Sequence, residues 1–242
     1  MNAFDHAILQ AVARVSGQSP DFDLLVTFIT ANHLFKGFLV MGAIWWLWFR
    51  EQRRQQTGPI DVERVHDQIM STLLAGLIAL VVARVLAEEL PFRPRPLALP
   101  EFASAFQISR ERLTGLDEWS SFPSDHATLF AALATGAWFA CRSLGAMLMI
   151  YTFIVILLPR VYLGMHYPTD ILVGALIGGV IAWAMHVSPV RSYISRPFTA
   201  WQLRSPGTFY ACAFLLTSQI AVLFDPVRHV ARFARDLAGM SS

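Results

Sequence analysis

Between Ala127 and Ala140 the chain carries no charged side chain, and comparable apolar stretches recur at about 22–49, 68–90, 145–164, 168–187 and 208–224. A helix rises 1.5 Å per residue, so a run of roughly 20 apolar residues crosses the hydrocarbon core of a bilayer. The fold class expected is therefore all-α: a polytopic membrane helix bundle of about six transmembrane helices. The balance of residue types agrees, because 15% of the chain is charged and 55% hydrophobic, whereas soluble domains carry about 25% charged residues. A net charge of +2 is too mild for a nucleic-acid binder. Cys141 and Cys212 form neither a disulfide framework nor a metal pattern.

Each end of the chain adds a surface helix. Ala7, Ile8, Ala11, Val12 and Val15 recur at helical spacing, without the apolar core or small-residue cleavage site of a signal peptide. Near the other end, Arg228, Arg232 and Arg235 line one face while Val227, Val230, Ala234 and Leu237 line the other. The reading is one integral-membrane domain over 1–242, with a core at 22–187 and an addition at 208–240. The addition offers a surface on which a second copy could pack. The 22–49 stretch would be about 40 Å long as a single helix, more than the roughly 30 Å core. Its cleanest part is Gly37–Phe49, ending in the aromatic belt Trp45, Trp46 and Trp48. Gly174, Gly178 and Gly179 should let the fifth span approach its neighbours closely. Residues 97–121 read as a cap with short helical pieces.

The polar residues gather where these stretches end. Ser121-Phe122-Pro123-Ser124-Asp125-His126 is a helix-start signal, and free N–H groups and the helix dipole there favour an anion. Pro159-Arg160-Val161-Tyr162-Leu163-Gly164-Met165-His166-Tyr167-Pro168-Thr169-Asp170 places His166 and Asp170 four apart, so that the carboxylate could hold one ring nitrogen. Pro91-Phe92-Arg93-Pro94-Arg95-Pro96 adds two guanidinium groups on a stiff segment, suited to phosphate oxygens in bidentate geometry. Lys36, the sole lysine, is either a further cation at membrane depth or an interfacial anchor. Arg84 and Glu88, four apart, are expected to pair with each other. Threading the spans brings the three clusters to one membrane face. The other face carries Arg50, Arg53, Arg54, Arg64, Arg142, Arg191, Arg196 and Arg204, the cytoplasmic pattern, which puts the clusters outside.

With these clusters in view, residues 20–185 resemble the type 2 phosphatidic acid phosphatase superfamily of membrane phosphatases. Its signatures K-x6-R-P, P-S-G-H and S-R-x5-H-x3-D correspond to Arg95-Pro96, to Pro123-Ser124-Asp125-His126 and to Arg160, His166 and Asp170. This chain departs in three places. Glu88 stands where the first signature has lysine, Asp125 where the second has glycine, and Pro159 where the third has serine. Lys36 could supply the missing cation. Within the superfamily, Phe-Pro-Ser-Asp-His and Arg-Val-Tyr-Leu-Gly-x-His-Tyr-Pro-x-Asp look most like bacterial undecaprenyl pyrophosphate phosphatases.

The resemblance implies a lipid phosphatase of the bacterial inner membrane, its site facing the periplasm, acting without metal or other cofactor. His166 would attack phosphorus, Asp170 would fix its tautomer, and His126 would protonate the leaving oxygen. Arg95, Arg160, Ser124 and, as further ligands, Arg93 and Lys36 would hold the phosphate, with Asp125 beside His126 in an open role. The substrate expected is undecaprenyl pyrophosphate, or more broadly phosphatidic acid and phosphatidylglycerol phosphate. A transporter built on His33, Lys36, Arg84 and Glu88 would need ionisable groups near the midplane, where the later spans have almost none. A silent lipid-binding relative would not need two histidines in pattern.

Overall fold

A computed structural model describes residues 1–55, 62–102, 104–106, 119–227, 230 and 233. Its elements, in chain order, are α1 (Ala3–Ala13), α2 (Pro20–Ala31), α3 (Gly37–Gln55), α4 (Val62–Glu89), α5 (Asp125–Ala140), α6 (Arg142–Tyr162), α7 (Pro168–His186), α8 (Ser188–Arg204) and α9 (Pro206–Ala221). There is no strand among the described residues. The chain is an all-α membrane helix bundle. Helices at Arg64–Glu89, Arg142–Tyr162 and Pro168–His186 are each long and apolar enough to cross a bilayer. Helices α5 and α9 have 16 residues each and rise about 24 Å.

Helix α5, which carries no charged side chain after its first turn, sits in the middle, packed chiefly against α4 and α7. Its close approach to α7 depends on Gly178, where a Cβ would lie 2.0 Å from the Thr128 carbonyl oxygen. On the far side of α7, Leu172, Leu176, Val180 and Trp183 form an exposed stripe. In water this would be a liability; in hydrocarbon it is the solvated face.

Two stretches differ from the sequence reading. Residues 22–49 do not make one helix: Asn32 leaves α2 in an extended conformation and its side chain accepts a hydrogen bond from Leu34 N at 2.9 Å. A 3-10 turn at His33–Phe35 follows, and α3 begins at Gly37. A short amide side chain that binds its own backbone competes with helix. Residues 188–204, which fall between the expected fifth and sixth spans, form α8, started by Pro189 in its first turn. Phe198 and Trp201 then face α4 and α9, with Trp201 edge-on to Phe209 at 5.5 Å. The expected cap holds 3-10 turns at Pro96–Ala98 and Pro100–Phe102, and its Phe102 and Phe106 are buried in the core. The rest of that cap, at 103 and 107–118, and most of the C-terminal surface helix, including Arg228, Arg232 and Arg235, lie outside the described residues.

Candidate active site

The three polar clusters meet because two helix starts and one sharp turn point them at the same space. Ser124 caps α5 by accepting a hydrogen bond from Ala127 N. After α6 the chain reverses at Gly164, whose φ of +66° favours glycine and whose missing Cβ makes room for the Phe106 ring. Leu97 N donates to the Gly164 carbonyl at 2.9 Å, tying the arginine-proline segment to this turn. Pro168 then opens α7, with the Asp170 carboxylate accepting from Tyr167 N at 2.8 Å.

The result is a cavity of about 360 Å³. Arg95, Arg160, His126 and His166 line it together with Lys36, Arg84 and Asp125. Arg160 is 2% exposed, and its Nε finds no hydrogen-bond partner among the described residues. A buried guanidinium N–H left unmatched is costly, and a bound anion would relieve it. Arg95 Nη1 donates to the Met165 carbonyl at 2.7 Å and reaches His166 Nε2 at 3.3 Å.

The geometry around His166 corrects one expectation. Its Nδ1 donates to the Ser121 carbonyl at 2.9 Å, while Asp170 Oδ2 stands 3.7 Å away. The two residues do not share a helix turn, because the proline at 168 holds Tyr167 extended (φ −74°, ψ 153°) and leaves His166 outside α7. Ser121 is itself fixed, its N–H donating to the Arg93 carbonyl at 2.9 Å. The Nδ1 proton so placed leaves the Nε2 lone pair on the cavity side. Burial pushes the His166 pKa down, the Asp170 carboxylate opposes this, and Arg95 and Arg160 push it down further.

His126 is held in a parallel way. Its Nδ1 donates to Asp125 Oδ1 at 2.9 Å, and Arg84 donates to the other oxygen of Asp125 at 2.5 Å. Arg84 also lies over the Trp119 ring, 5.5 Å from its centroid. The expected pairing of Arg84 with Glu88 is thus replaced by an ion pair across the helix interface, and Asp125 orients His126. A neutral imidazole with Nδ1 protonated can take a proton at Nε2, and the carboxylate supports the cation that results.

Three other expected residues fall differently. Lys36 is 4% exposed and lines the cavity from the break between α2 and α3. It is placed there by α9: at the adjoining Gly37 a Cβ would lie 1.9 Å from the Ala221 carbonyl oxygen. The Ser124 side chain is fully buried as a cap and is not on the cavity wall. Arg93, expected as a phosphate ligand, is occupied elsewhere. It donates to Asp170 Oδ1 and Asp5 Oδ2 and stacks 3.8 Å from the Tyr167 ring centroid.

Sequence reasoning missed Asp5, the Ser121 carbonyl and Asp225. Asp5 could have been noticed as a charge on the apolar face of α1. Backbone acceptors such as Ser121 carry no sequence signal. Asp225 reaches the cavity after Leu223 and Phe224 turn the chain at φ +51° and +58°, and it stands 3.4 Å from His33 Nε2.

Comparison with known proteins bears on this arrangement. Undecaprenyl-diphosphatase BcrC of Bacillus subtilis (strain 168) is 25% identical over 177 residues, covering 73% of this chain and 79% of that protein. No solved structure matches. The family model of the PAP2 superfamily matches residues 69–194, more than half of the chain and the part that carries both histidines, Arg95, Arg160 and Asp170. The chain belongs to the PAP2 superfamily.

Proposed function

We propose that the protein is a membrane lipid phosphatase that removes the terminal phosphate of a lipid diphosphate, undecaprenyl pyrophosphate being the favoured substrate, at the outer face of the bacterial cytoplasmic membrane. The observation that carries this reading is the pair of histidines on one cavity, each with Nδ1 tied back, beside the buried Arg160 with an unmatched N–H. The likeness to BcrC supports the choice of lipid, and the arginines expected on the opposite face support the orientation.

In the first step His166 Nε2 forms a bond to phosphorus while the bond from phosphorus to the leaving oxygen breaks. His126 enters this step as the imidazolium, with Nδ1–H on Asp125, and gives its Nε2 proton to that oxygen. In the second step water attacks the phosphohistidine, His126 takes the water proton, and the P–N bond breaks to release inorganic phosphate. Arg95 turns from His166 Nε2 to the phosphate, and Arg160 meets the equatorial oxygens where charge spreads in the transition state. Asp170 supports positive charge on the His166 ring. Lys36 is a second cation for a diphosphate; a Lys36→Met enzyme with unchanged turnover and affinity would refute that role. A lipid substrate suits a cavity at the ends of spans, since its chain stays in hydrocarbon while its head group meets the cations.

The test is phosphate release by the purified protein in detergent with a chelator, comparing undecaprenyl pyrophosphate, phosphatidylglycerol phosphate and phosphatidic acid, with His166→Ala as control. Preference for the pyrophosphate, lost in the variant, is expected. Equal rates on all three would favour a broad lipid phosphatase, and release by His166→Ala at the wild-type rate would overturn the mechanism.

A further inference from the structure

Helix α1 lies outside the matched family region, yet it carries a carboxylate with no exposed surface, Asp5. Burying a carboxylate is costly, and an apolar residue would anchor a surface helix as well. Both carboxylate oxygens of Asp5 accept hydrogen bonds. Oδ1 accepts from Thr169 N at 2.9 Å, and Oδ2 accepts from Thr169 Oγ1 at 2.6 Å, Arg93 Nη2 at 2.7 Å and Asn2 Nδ2 at 3.0 Å. The same Arg93 donates through Nη1 to Asp170 Oδ1 and to Thr169 Oγ1. One guanidinium is therefore shared between Asp5 and the carboxylate 3.7 Å from His166 Nδ1.

We infer that Asp5 is a positioning residue of the reaction: it offsets the charge of Arg93, so that Asp170 is held in place by that arginine without being neutralised by it. Paired with Asp170 alone, Arg93 would cancel the negative field that supports a cationic His166 ring. With Asp5 included, two carboxylates share one guanidinium and a net negative charge remains behind the nucleophile. The first-turn position of Asp5 in α1 favours its ionised form, and its bonds to Thr169 and Arg93 outweigh burial to hold its pKa down. The inference rests on His166 being the nucleophile.

The acid limb of kcat/KM reports the group that must lose its proton to attack. The charged groups facing His166 are Arg95, Arg160 and Asp125 on the cavity side, where Lys36, Arg84 and His126 also line the wall, and Asp170 behind it. Removing the negative charge with Asp5→Asn makes the His166 cation less favourable, so the limb moves to lower pH, by about half a unit. Turnover falls about tenfold with KM within about twofold. Arg93→Gln removes the positive charge and moves the limb to higher pH. Thr169→Val loses a hydrogen-bond donor but no charge, and leaves the limb in place. Phosphate release from undecaprenyl pyrophosphate is measured across pH for wild type and the three variants. An unmoved limb in Asp5→Asn, or an equal movement in Thr169→Val, overturns the inference. Should Asp5→Asn not be recovered folded, an Arg93→Gln limb that stays or moves down overturns it as well. A wild-type protein that releases no phosphate instead removes the underlying phosphatase reading.

Discussion

Replacing Asp170 by asparagine separates two roles that a carboxylate behind a histidine can play. If it fixes the tautomer, its loss disables the nucleophile; if it only supplies charge, its loss weakens the transition state by a bounded amount. Here the Nδ1 proton goes to the Ser121 carbonyl at 2.9 Å, and Asp170 is 3.7 Å away. The tautomer therefore survives in Asp170→Asn. What is lost is the attraction between a carboxylate and a ring that becomes positive. At this separation and an effective dielectric of about 20, that attraction is about 4 kcal/mol. Arg93 on the other side of Asp170 offsets roughly half, leaving about 2 kcal/mol, or about thirtyfold in turnover. The assay is rapid-quench measurement of phosphohistidine formation in an alkaline quench alongside steady-state phosphate release, with thermal unfolding to establish that the variant is folded. A loss of about 10⁴-fold or more, comparable to removal of the nucleophile, would mean that Asp170 and not Ser121 sets the tautomer. A loss of less than about threefold would refute the electrostatic role.

Other outcomes follow from the same geometry. Because burial lowers the pKa of His166, the proposed nucleophile keeps its free Nε2 lone pair to lower pH than an ordinary histidine. Activity is then lost as pH falls through a limb lying below the ordinary histidine value of 6.5, measurable as kcat/KM against pH. Arg160→Met keeps the buried volume but removes the cation proposed to meet the phosphate, and should lower kcat/KM by about 10²–10³-fold while leaving thermal stability equal or higher, since the unmatched Nε goes with it. Gly178→Ala puts a Cβ 2.0 Å from a backbone oxygen of α5, forces α7 away, and should cost about 1–3 kcal/mol by overpacking, read as a lower unfolding temperature in detergent.

The sequence alone determined the class of the fold, because uncharged runs of this length leave a bilayer as their only solvent and helix as their backbone solution. It also placed His126, Arg95, Arg160 and His166 at one end of the spans, since residues that cannot remain in hydrocarbon mark where each run stops. Glycine spacing announced the close contact of α7 with α5. What sequence distance could not decide was pairing. His166 and Asp170 stand four apart, as helix neighbours would, but a proline between them moved the histidine off the helix and gave its Nδ1 to a carbonyl 45 residues away. Arg84 and Glu88 have helix-neighbour spacing too, yet Arg84 turned across the interface to Asp125, whose charge needed a partner at the start of a buried helix. Arg93 and Arg95 look alike in sequence; the fold sends Arg95 into the cavity and Arg93 to two carboxylates. A charge in a bundle takes the partner its own position buries it against, and that partner is chosen by tertiary packing.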